Sequence, residues 1–284
     1  MFTLAIQKSG RLSEHTRQLL KECGISFANG KTAKLKTSAT NFPMEILFLR
    51  DDDIPECVGD AIADAGVVGE NVYLEKERTI EVVEKLGFGK CRMSIAVPKQ
   101  QDYQSVADLN GLNIATSYPV ILRKFLAEND IKASIHEISG SVEITPSIGL
   151  AEAIFDIVST GSTLMSNGLK EVETVLKSEA VLIANPDLNA EKRAILERLV
   201  FRIQSVNAAR NFKYILLNAP NEAIDNIKRI LPGMKSPTVM PLAEAGWSSL
   251  HSVIKEDDFW RYIEDLKAAG AEGILVIPIE KMIM

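Results

Sequence analysis

The segment Asp64-Ala65-Gly66-Val67-Val68-Gly69 is a short apolar run that ends in glycine. Such a run is typical of a strand buried in a parallel or mixed sheet, and a glycine at its carboxyl end lets the chain turn towards a ligand. Around it, strand-length apolar runs alternate with helix-like segments: strands at 2–6 and 44–49, helices at 13–23 and 55–63. This alternation predicts an α/β fold.

The same pattern restarts after Cys91, which indicates a second α/β lobe. Within it the sequence predicts strands over 92–97, 113–116, 133–138 and 153–158, and helices over 120–129 and 147–154. A strand over 180–184 is expected to return the chain to the first lobe. Two lobes joined by crossing strands enclose a cleft. We therefore expect lobe I at 1–90 and 180–207 and lobe II at 91–179, with ligands bound between them.

The last part of the chain has a different order of elements. Strands are predicted over 214–217, 238–241, 247–254 and 273–278, with helices over 221–231 and 258–268. The resulting order, βαββαβ, is that of a ferredoxin-like domain. We assign it to residues 208–284.

The composition excludes several classes of protein. With 46% hydrophobic and 25% charged residues, the 284-residue chain is neither disordered nor fibrous. A net charge of −6 disfavours general binding to nucleic acid or to an anionic membrane. The three cysteines form no disulfide framework or zinc motif, the N-terminal apolar run is too short for a signal sequence, and no apolar stretch is long enough to span a membrane. We expect a cytoplasmic protein.

The most informative stretch, 152–164, reads EAIFDIVSTGSTL. It combines two carboxylates and a predicted strand with a loop of small polar residues. Small residues around a glycine let several backbone N–H groups point into one concavity, where a phosphate fits, and a nearby carboxylate can accept hydrogen bonds from the hydroxyls of a sugar. The stretch predicts a site for a phosphorylated ribose. A Ser/Thr-rich turn that caps a helix is the alternative.

Basic residues surround a glycine just after the first predicted strand, in Gln7-Lys8-Ser9-Gly10-Arg11-Leu12. Because Lys and Arg are unfavourable at a helix N-terminus, capture of an anion explains them better than helix formation does. A solvated helix N-terminus remains the alternative.

Three carboxylates are adjacent in Arg50-Asp51-Asp52-Asp53-Ile54-Pro55. They could gather Mg²⁺ or cap a helix. Neighbouring carboxylates on one loop diverge too much for a tight metal site, so we expect Asp53 to be the cap. His15, His136 and His251 show no partner spacing and receive no catalytic role.

Motifs along the whole chain, taken in order, resemble those of the ATP phosphoribosyltransferase family of histidine biosynthesis. They lie at 7–12, 50–55, 69–72, 115–119, 139–143, 156–164 and 276–282. The βαββαβ unit resembles the regulatory domain of the long form of that family.

This resemblance implies a fold and an activity. The fold is a catalytic core of two lobes like those of periplasmic binding proteins, followed by a domain through which histidine inhibits. The activity is the Mg²⁺-dependent transfer of the 5-phosphoribosyl group from phosphoribosyl pyrophosphate to N1 of ATP, which releases pyrophosphate. Chains of the family assemble through dimers into hexamers.

The resemblance also implies site residues. For phosphoribosyl pyrophosphate they are Glu152, Asp156, Ser159, Thr160, Gly161, Ser162, Thr163 and Leu164. For ATP they are Lys8, Gly10, Arg11, Arg50, Glu70 and Tyr118. Thr238 is expected near the regulatory histidine, and no metal ligand is implied.

Two other classes of protein share parts of this pattern. A periplasmic-type receptor would have the same cleft, but it would be exported, and we find no signal sequence. A stand-alone amino-acid sensor would use the C-terminal domain, but it would not need a phosphoribosyl loop. The sequence therefore favours the enzyme.

Overall fold

The computed structural model describes residues 1–27, 35–231 and 233–283. The chain divides into two compact units, Met1–Val200 and Phe201–Met284. The helix α6 (Ala190–Arg210) begins in the first unit and ends in the second. Across the described residues, no helix is long and apolar enough to cross a membrane.

One sheet of the first unit has six strands within the described ranges. They are β1 (Phe2–Gln7), β2 (Lys36–Ser38), β3 (Met44–Leu49), β4 (Ala65–Gly69), β5 (Glu81–Lys85) and β11 (Ala180–Ala184), in the order β2-β3-β1-β4-β11-β5. The helices of this lobe are α1 (Arg11–Glu22), α2 (Asp53–Gly59) and α3 (Glu70–Lys76). Gly66 allows α2 to pack closely on β4, because a Cβ atom there would collide with the side chain of Ile54.

A second sheet of the same unit has five strands among the described residues. They are β6 (Cys91–Pro98), β7 (Asn113–Thr116), β8 (Ser134–Glu137), β9 (Ala153–Val158) and β10 (Leu169–Ser178), in the order β10-β6-β9-β7-β8. Its helices are α4 (Pro119–Glu128) and α5 (Ser162–Ser166). The core is formed around the fully buried side chains of Met93, Ile95 and Phe155, each of which contributes about 1.5–3 kcal/mol by burial.

The directions of the strands bring the predicted site residues towards each other. β1 pairs in parallel with both β3 and β4, and β7 pairs in parallel with β9. Because parallel strands end at the same edge of a sheet, the segments that follow β1, β3 and β4 share one edge, and those that follow β7 and β9 share another.

The predicted helix over 147–154 is wrong. The chain there forms turns, with hydrogen bonds from Gly149 N to Pro146 O and from Leu150 N to Thr145 O, and β9 begins at Ala153. The apolar residues of this stretch have a spacing compatible with a helix, but pairing of β9 between β6 and β7 fixes residues 153–158 in extended form.

The second unit contains β12 (Phe212–Pro220), α7 (Ile224–Ile230), β13 (Thr238–Pro241), β14 (Trp247–Lys255), α8 (Glu256–Ala268) and β15 (Glu272–Pro278). The strand order is β13-β14-β12-β15, with every neighbouring pair antiparallel. The predicted βαββαβ order is therefore confirmed.

Candidate active site

The loop that follows β9 and the first turn of α5 expose the donors that the sequence predicts around a phosphate. Ser159, Thr160, Ser162 and Thr163 are exposed, and the Oγ1 atom of Thr160 lies 3.0 Å from Oγ of Ser162. Gly161 has φ +80°, a left-handed conformation that favours glycine. Leu164 is buried in the core of the second lobe and anchors the loop. The segment thus presents exposed hydroxyl groups, and the buried Leu164 side chain holds it in place.

An arginine missed by the sequence analysis supports this loop. Nη1 of Arg92 donates to the carbonyl of Ser159 at 3.2 Å, while Nε and Nη2 donate to the two carboxylate oxygens of Glu171 at 2.5 and 2.6 Å. Hydrogen bonds from Arg92 lower the pKa of Glu171. Arg92 and Glu171 lie on the paired strands β6 and β10, and only that long-range pairing brings them together.

Asp156 and Tyr118 share an electrostatic environment in the second lobe. Asp156 is half-buried, and burial raises the pKa of its carboxyl group, assisted by the nearby charge of Glu143. Burial also raises the pKa of Tyr118, with further contributions from the charges of Asp156, Asp51 and Asp52. The charge of Asp156, the predicted ribose carboxylate, therefore acts on Tyr118, one of the predicted ATP residues.

Next to this cluster is a cavity of about 890 Å³. Its lining includes Asp51 and Asp52 from the first lobe, and Ser117, Tyr118 and Gly140 from the second. A volume of this size is typical of a small-molecule site. It lies between the two lobes, as the sequence predicts.

Glu152 lies apart from the loop. It precedes β9, at the end opposite the loop, and its Oε2 atom accepts hydrogen bonds from the backbone N and the side-chain Nδ2 of Asn113 at 2.7 and 2.9 Å. The length of the six-residue strand, about 20 Å, separates it from Ser159. Glu152 fastens β9 to β7 and does not reach the same ligand as the loop.

The other predicted ATP residues lie in different places. Lys8, Gly10, Arg11 and Arg50 are exposed at the carboxyl edge shared by β1 and β3. Glu70 begins α3, forms an ion pair with Lys85 at 3.2 Å, and lines a second cavity together with Ser159.

The prediction that Asp53 caps a helix is wrong. The helix α2 begins at Asp53, the N-cap position is Asp52, and neither the Asp52 side chain nor another one makes a capping hydrogen bond there. The tight turn that precedes the helix is closed instead by backbone hydrogen bonds, from Asp53 N to Arg50 O and from Ile54 N to Asp51 O. This leaves Asp51 and Asp52 to line the cavity.

In the second unit, Thr238 is exposed on β13 directly opposite His251 of β14. Nδ1 of His251 lies 2.7 Å from the hydroxyl of Tyr214, and Nε2 lies 3.2 Å from Oγ of Ser249. The sequence analysis gave His251 no role, because Tyr214 lies on a neighbouring strand and Ser249 lies two positions away on the same strand. The three side chains form a polar cluster beside Thr238.

No group of three or more His, Cys, Asp or Glu side chains in the described part of the chain could hold a metal ion. Mg²⁺ at phosphorylated substrates needs only one or two carboxylates, because phosphate oxygens and water complete its coordination. The described residues therefore fit Mg²⁺ that is carried by a substrate, and they do not form a cage of their own.

The chain is similar to known proteins over its whole length. A family model described as ATP phosphoribosyltransferase matches residues 50–205, and one described as HisG, C-terminal domain, matches residues 209–281. The ATP phosphoribosyltransferase of Cytophaga hutchinsonii is 63% identical over 99% of this chain and 98% of that protein. That of Bacteroides thetaiotaomicron is 55% identical over 100% of both.

Solved structures agree with these matches. The ATP phosphoribosyl transferase (HisG:HisZ) complex from Thermotoga maritima contains a chain with a TM-score of 0.61 and 28% identity, over 72% of this chain and 99% of that one. The structure of Tv2483 bound to L-arginine has a TM-score of 0.51 at 11% identity, over 80% of this chain and 88% of that one, and shows the fold alone. The predicted fold class, two lobes like those of periplasmic binding proteins and a ferredoxin-like domain, is confirmed. From the two matched family models and the relatives of equal length, we conclude that this chain belongs to the ATP phosphoribosyltransferase family.

Proposed function

We propose that this protein transfers the 5-phosphoribosyl group of phosphoribosyl pyrophosphate to N1 of the adenine of ATP and releases pyrophosphate, the first step of histidine biosynthesis. The observation that carries the proposal is the exposed 159–163 loop beside the half-buried carboxylate of Asp156, in a chain of this family. The test is release of pyrophosphate by the purified protein with both substrates. A control reaction with 1-deaza-ATP, which lacks the N1 nucleophile, should release none.

Phosphoribosyl pyrophosphate is proposed to bind at the loop. Asp156 would accept hydrogen bonds from the ribose hydroxyls, and the backbone and hydroxyl donors of residues 159–163 would surround the 5-phosphate. The bond from Arg92 to the carbonyl of Ser159 supports this assignment, because it holds the start of the loop in place. Leu164 would contribute its backbone and its anchor in the core, and Glu152 would act only by fastening β9.

ATP is proposed to lie in the cavity of about 890 Å³. The ring of Tyr118 would pack against the base or the ribose, since an aromatic face suits both. Lys8 and Arg11, with Gly10 between them, and Arg50 would engage phosphate groups from the exposed edge of the first lobe. Glu70, the remaining predicted ATP residue, lines the second cavity together with Ser159.

The reaction depends on positioning the two substrates and on stabilising negative charge more than on proton transfer. Adenine N1 is already a nucleophile, so the barrier lies in breaking the bond between ribose C1 and pyrophosphate. Holding N1 in line with C1 and stabilising the departing negative charge would lower that barrier. Mg²⁺ would supply part of that stabilisation when bound to the substrate phosphates.

The division into domains is also a proposal. We assign 1–90 and 180–207 to lobe I, 91–179 to lobe II and 208–284 to a regulatory domain. Support comes from the strand orders of the first two sheets, in which β11 joins the first and β10 the second. The compact second unit begins a few residues earlier, at Phe201, because α6 continues into it.

Histidine is proposed to bind the second unit near Thr238 and to inhibit the transfer. The cluster of Tyr214, Ser249 and His251 beside Thr238 supports this, since it offers donors and acceptors for a small polar molecule. A ligand there can inhibit at a distance if it has different affinities for two arrangements of the protein.

Copies of the chain are proposed to associate, from dimers to hexamers, in the cytoplasm. On the face of the second unit's sheet that carries Thr238, the apolar side chains of Met240, Leu275 and Ile277 are 47%, 54% and 44% exposed. An exposed apolar patch of this kind is typical of an interaction surface. Light scattering of the purified protein measures the mass directly, and a monomer at all concentrations would contradict the proposal.

A further inference from the structure

Asn71, the second residue of α3, has a polar side chain in the interior of the first unit and is only 4% exposed. It pairs with Ser178, the last residue of β10, which is buried to the same degree. Oγ of Ser178 donates a hydrogen bond to Oδ1 of Asn71 at 2.9 Å and accepts one from the backbone N–H of Asn71 at 3.1 Å. The pair joins residues 107 positions apart, so it depends on the tertiary structure.

The pair lies where the chain crosses between the two sheets of this unit. The crossings run from β5 to β6 and from β10 to β11, and Glu179 is the residue between β10 and β11. The carbonyl of Glu179 accepts a hydrogen bond from Glu70 N at 2.9 Å, and its Oε2 atom accepts one from Gly87 N at 3.1 Å. Both crossings and the start of α3 are therefore fastened together, which fixes Asn71 relative to both lobes.

The amide group of Asn71 has little freedom to turn. A Cβ atom at position 69 would lie 2.5 Å from its Oδ1 atom, so Gly69 leaves just the room that the amide needs. Because Oδ1 accepts the hydrogen bond from Ser178, the N–H donors of the same amide remain for another partner.

That partner is the hydroxyl of Tyr118, at the N-cap position of α4 in the second lobe. Burial and three nearby aspartates raise the pKa of Tyr118, and a hydrogen bond from the side chain of Asn71 acts in the opposite direction. A hydrogen bond that lowers the pKa of a phenol is donated to its oxygen, since it stabilises the phenolate. Asn71 is therefore the donor and the oxygen of Tyr118 the acceptor.

The same helix also holds the backbone next to Tyr118. Glu75 of α3 accepts a hydrogen bond from the backbone N–H of Val120, in the first turn of α4. Tyr118 is thus attached to α3 at both ends, near its Cα atom through Glu75 and at its hydroxyl through Asn71. An aromatic side chain that is fixed at both ends keeps one ring orientation.

We propose that Asn71 is a positioning residue for ATP, which is held by Ser178 at the crossing between the lobes and orients the ring of Tyr118 through its hydroxyl. The inference rests on the ATP site proposed above. Asn71 is not among the described residues that line the cavity of about 890 Å³, so its effect on ATP goes through Tyr118. A ring that is ordered before ATP arrives loses less entropy on binding, and this improves affinity.

A double-mutant cycle tests this route. ATP is titrated calorimetrically into the wild type, Asn71→Ala, Tyr118→Phe and the double variant. We expect Asn71→Ala to raise the Kd of ATP about fivefold, through loss of one hydrogen bond. In the Tyr118→Phe background the same substitution should cause no further loss, because the hydroxyl through which Asn71 acts is gone. Additive losses, or an equal Kd in Asn71→Ala and the wild type, would overturn the proposal.

Asn185→Ala is the matched control. Asn185 is another buried asparagine of the first lobe, 6% exposed, and its Nδ2 atom donates to the carbonyl of Val58 at 2.8 Å. Neither cavity has it among its described lining residues. We expect this variant to bind ATP like the wild type. A loss of ATP affinity equal to that of Asn71→Ala would attribute the effect to stability alone and refute the positioning role.

Ser178→Ala provides a second variant in case Asn71→Ala does not fold. It keeps the amide of Asn71 and removes only the hydroxyl that holds it. We expect the Kd of ATP to rise about threefold or more. Ser205→Ala, which removes a buried hydroxyl bonded to the carbonyl of Phe201 in α6, should leave it unchanged. Affinity that is equal in Ser178→Ala and the wild type contradicts the proposal.

Two further ligands separate the base from the phosphates. With Asn71→Ala, we expect AMP to lose affinity as ATP does, and inorganic tripolyphosphate, which has neither base nor ribose, to bind as before. A loss for tripolyphosphate without one for AMP would overturn the assignment to Tyr118.

The proposed transfer is tested separately, by the assay of the wild type. If that assay shows no transfer, the proposed function fails. The cycle of Asn71→Ala and Tyr118→Phe, repeated on the free energy of urea unfolding without substrate, still reports whether the two side chains interact. Non-additive changes support the contact, and additive ones refute it.

Discussion

The Oε1 atom of Glu75 accepts a hydrogen bond from the backbone N–H of Val120 at 2.8 Å. Its Oε2 atom accepts another from Ile121 N at 3.0 Å. Glu75 lies on α3 in the first lobe, and the two N–H groups belong to the first turn of α4 in the second. One carboxylate thus satisfies two unpaired donors of a helix and ties the lobes together. Because α4 begins directly after Tyr118, the contact also supports the position of that ring.

We expect Glu75→Ala to lower the free energy of unfolding by about 1–2 kcal/mol, as loss of a helix cap does. The control is Glu77→Ala, which removes the exposed ion pair with Lys124 and should cost about 0.5 kcal/mol or less. Urea unfolding of both variants measures the difference. Equal stability of the two variants would mean that the Glu75 contact contributes little.

Asp156→Ala should raise the KM for phosphoribosyl pyrophosphate about tenfold or more and leave the KM for ATP nearly unchanged, since a hydrogen bond to a charged group is lost. The control is Asp102→Ala, at an exposed position outside both cavities. Steady-state kinetics with each substrate varied in turn gives the comparison. Unchanged kinetics for phosphoribosyl pyrophosphate would remove Asp156 from its site.

The raised pKa of Asp156, caused by burial, makes stability depend on pH. The folded protein holds this proton to a higher pH than the unfolded chain does. The contribution of protonated Asp156 to the free energy of unfolding is therefore complete below the pKa that this residue has in the unfolded chain. It is lost as pH rises through the raised pKa of the folded protein. Asp156→Asn should remove this loss, so its free energy of unfolding should decrease less than that of the wild type across that pH range. Urea unfolding at a series of pH values measures it, and parallel curves for the two proteins would contradict the assignment.

Arg11→Ala tests the exposed basic edge of the first lobe. We expect the KM for ATP to rise about tenfold, because a charge-assisted hydrogen bond to phosphate is removed. Lys21→Ala, in the last turn of the same helix, is the control. If the Michaelis constants and turnover for both substrates are untouched, Arg11 lies outside the site.

Thr238→Ala in the full chain should weaken histidine binding about fivefold to tenfold, through loss of one hydrogen bond. Thr79→Ala, exposed in the first unit, is the control. Calorimetric titration with histidine provides the affinities. Equal binding by Thr238→Ala and the wild type would mean that Thr238 is not part of the histidine site.

Local sequence patterns determined most of the fold. The buried run that ends at Gly69 and the strand and helix signals after residue 208 produced the correct elements, because their hydrophobic periodicity is the one that the final packing uses. The order of motifs along the chain also identified the family. The 159–163 segment could be located from its small polar residues together with the predicted strand and carboxylate before it, because all of these are local properties.

Tertiary structure alone decided which of these residues meet. The support of Ser159 by Arg92 and the contact of Glu75 with Val120 join residues 67 and 45 positions apart. Conversely, Glu152 and Ser159 are close in sequence, yet an extended strand holds them at opposite ends. The turns at 147–150 likewise depend on the pairing of β9 with strands distant in sequence. Sequence periodicity reports the burial of a segment, whereas side-chain contacts are set by strand pairing and helix packing over long separations, which no local pattern encodes.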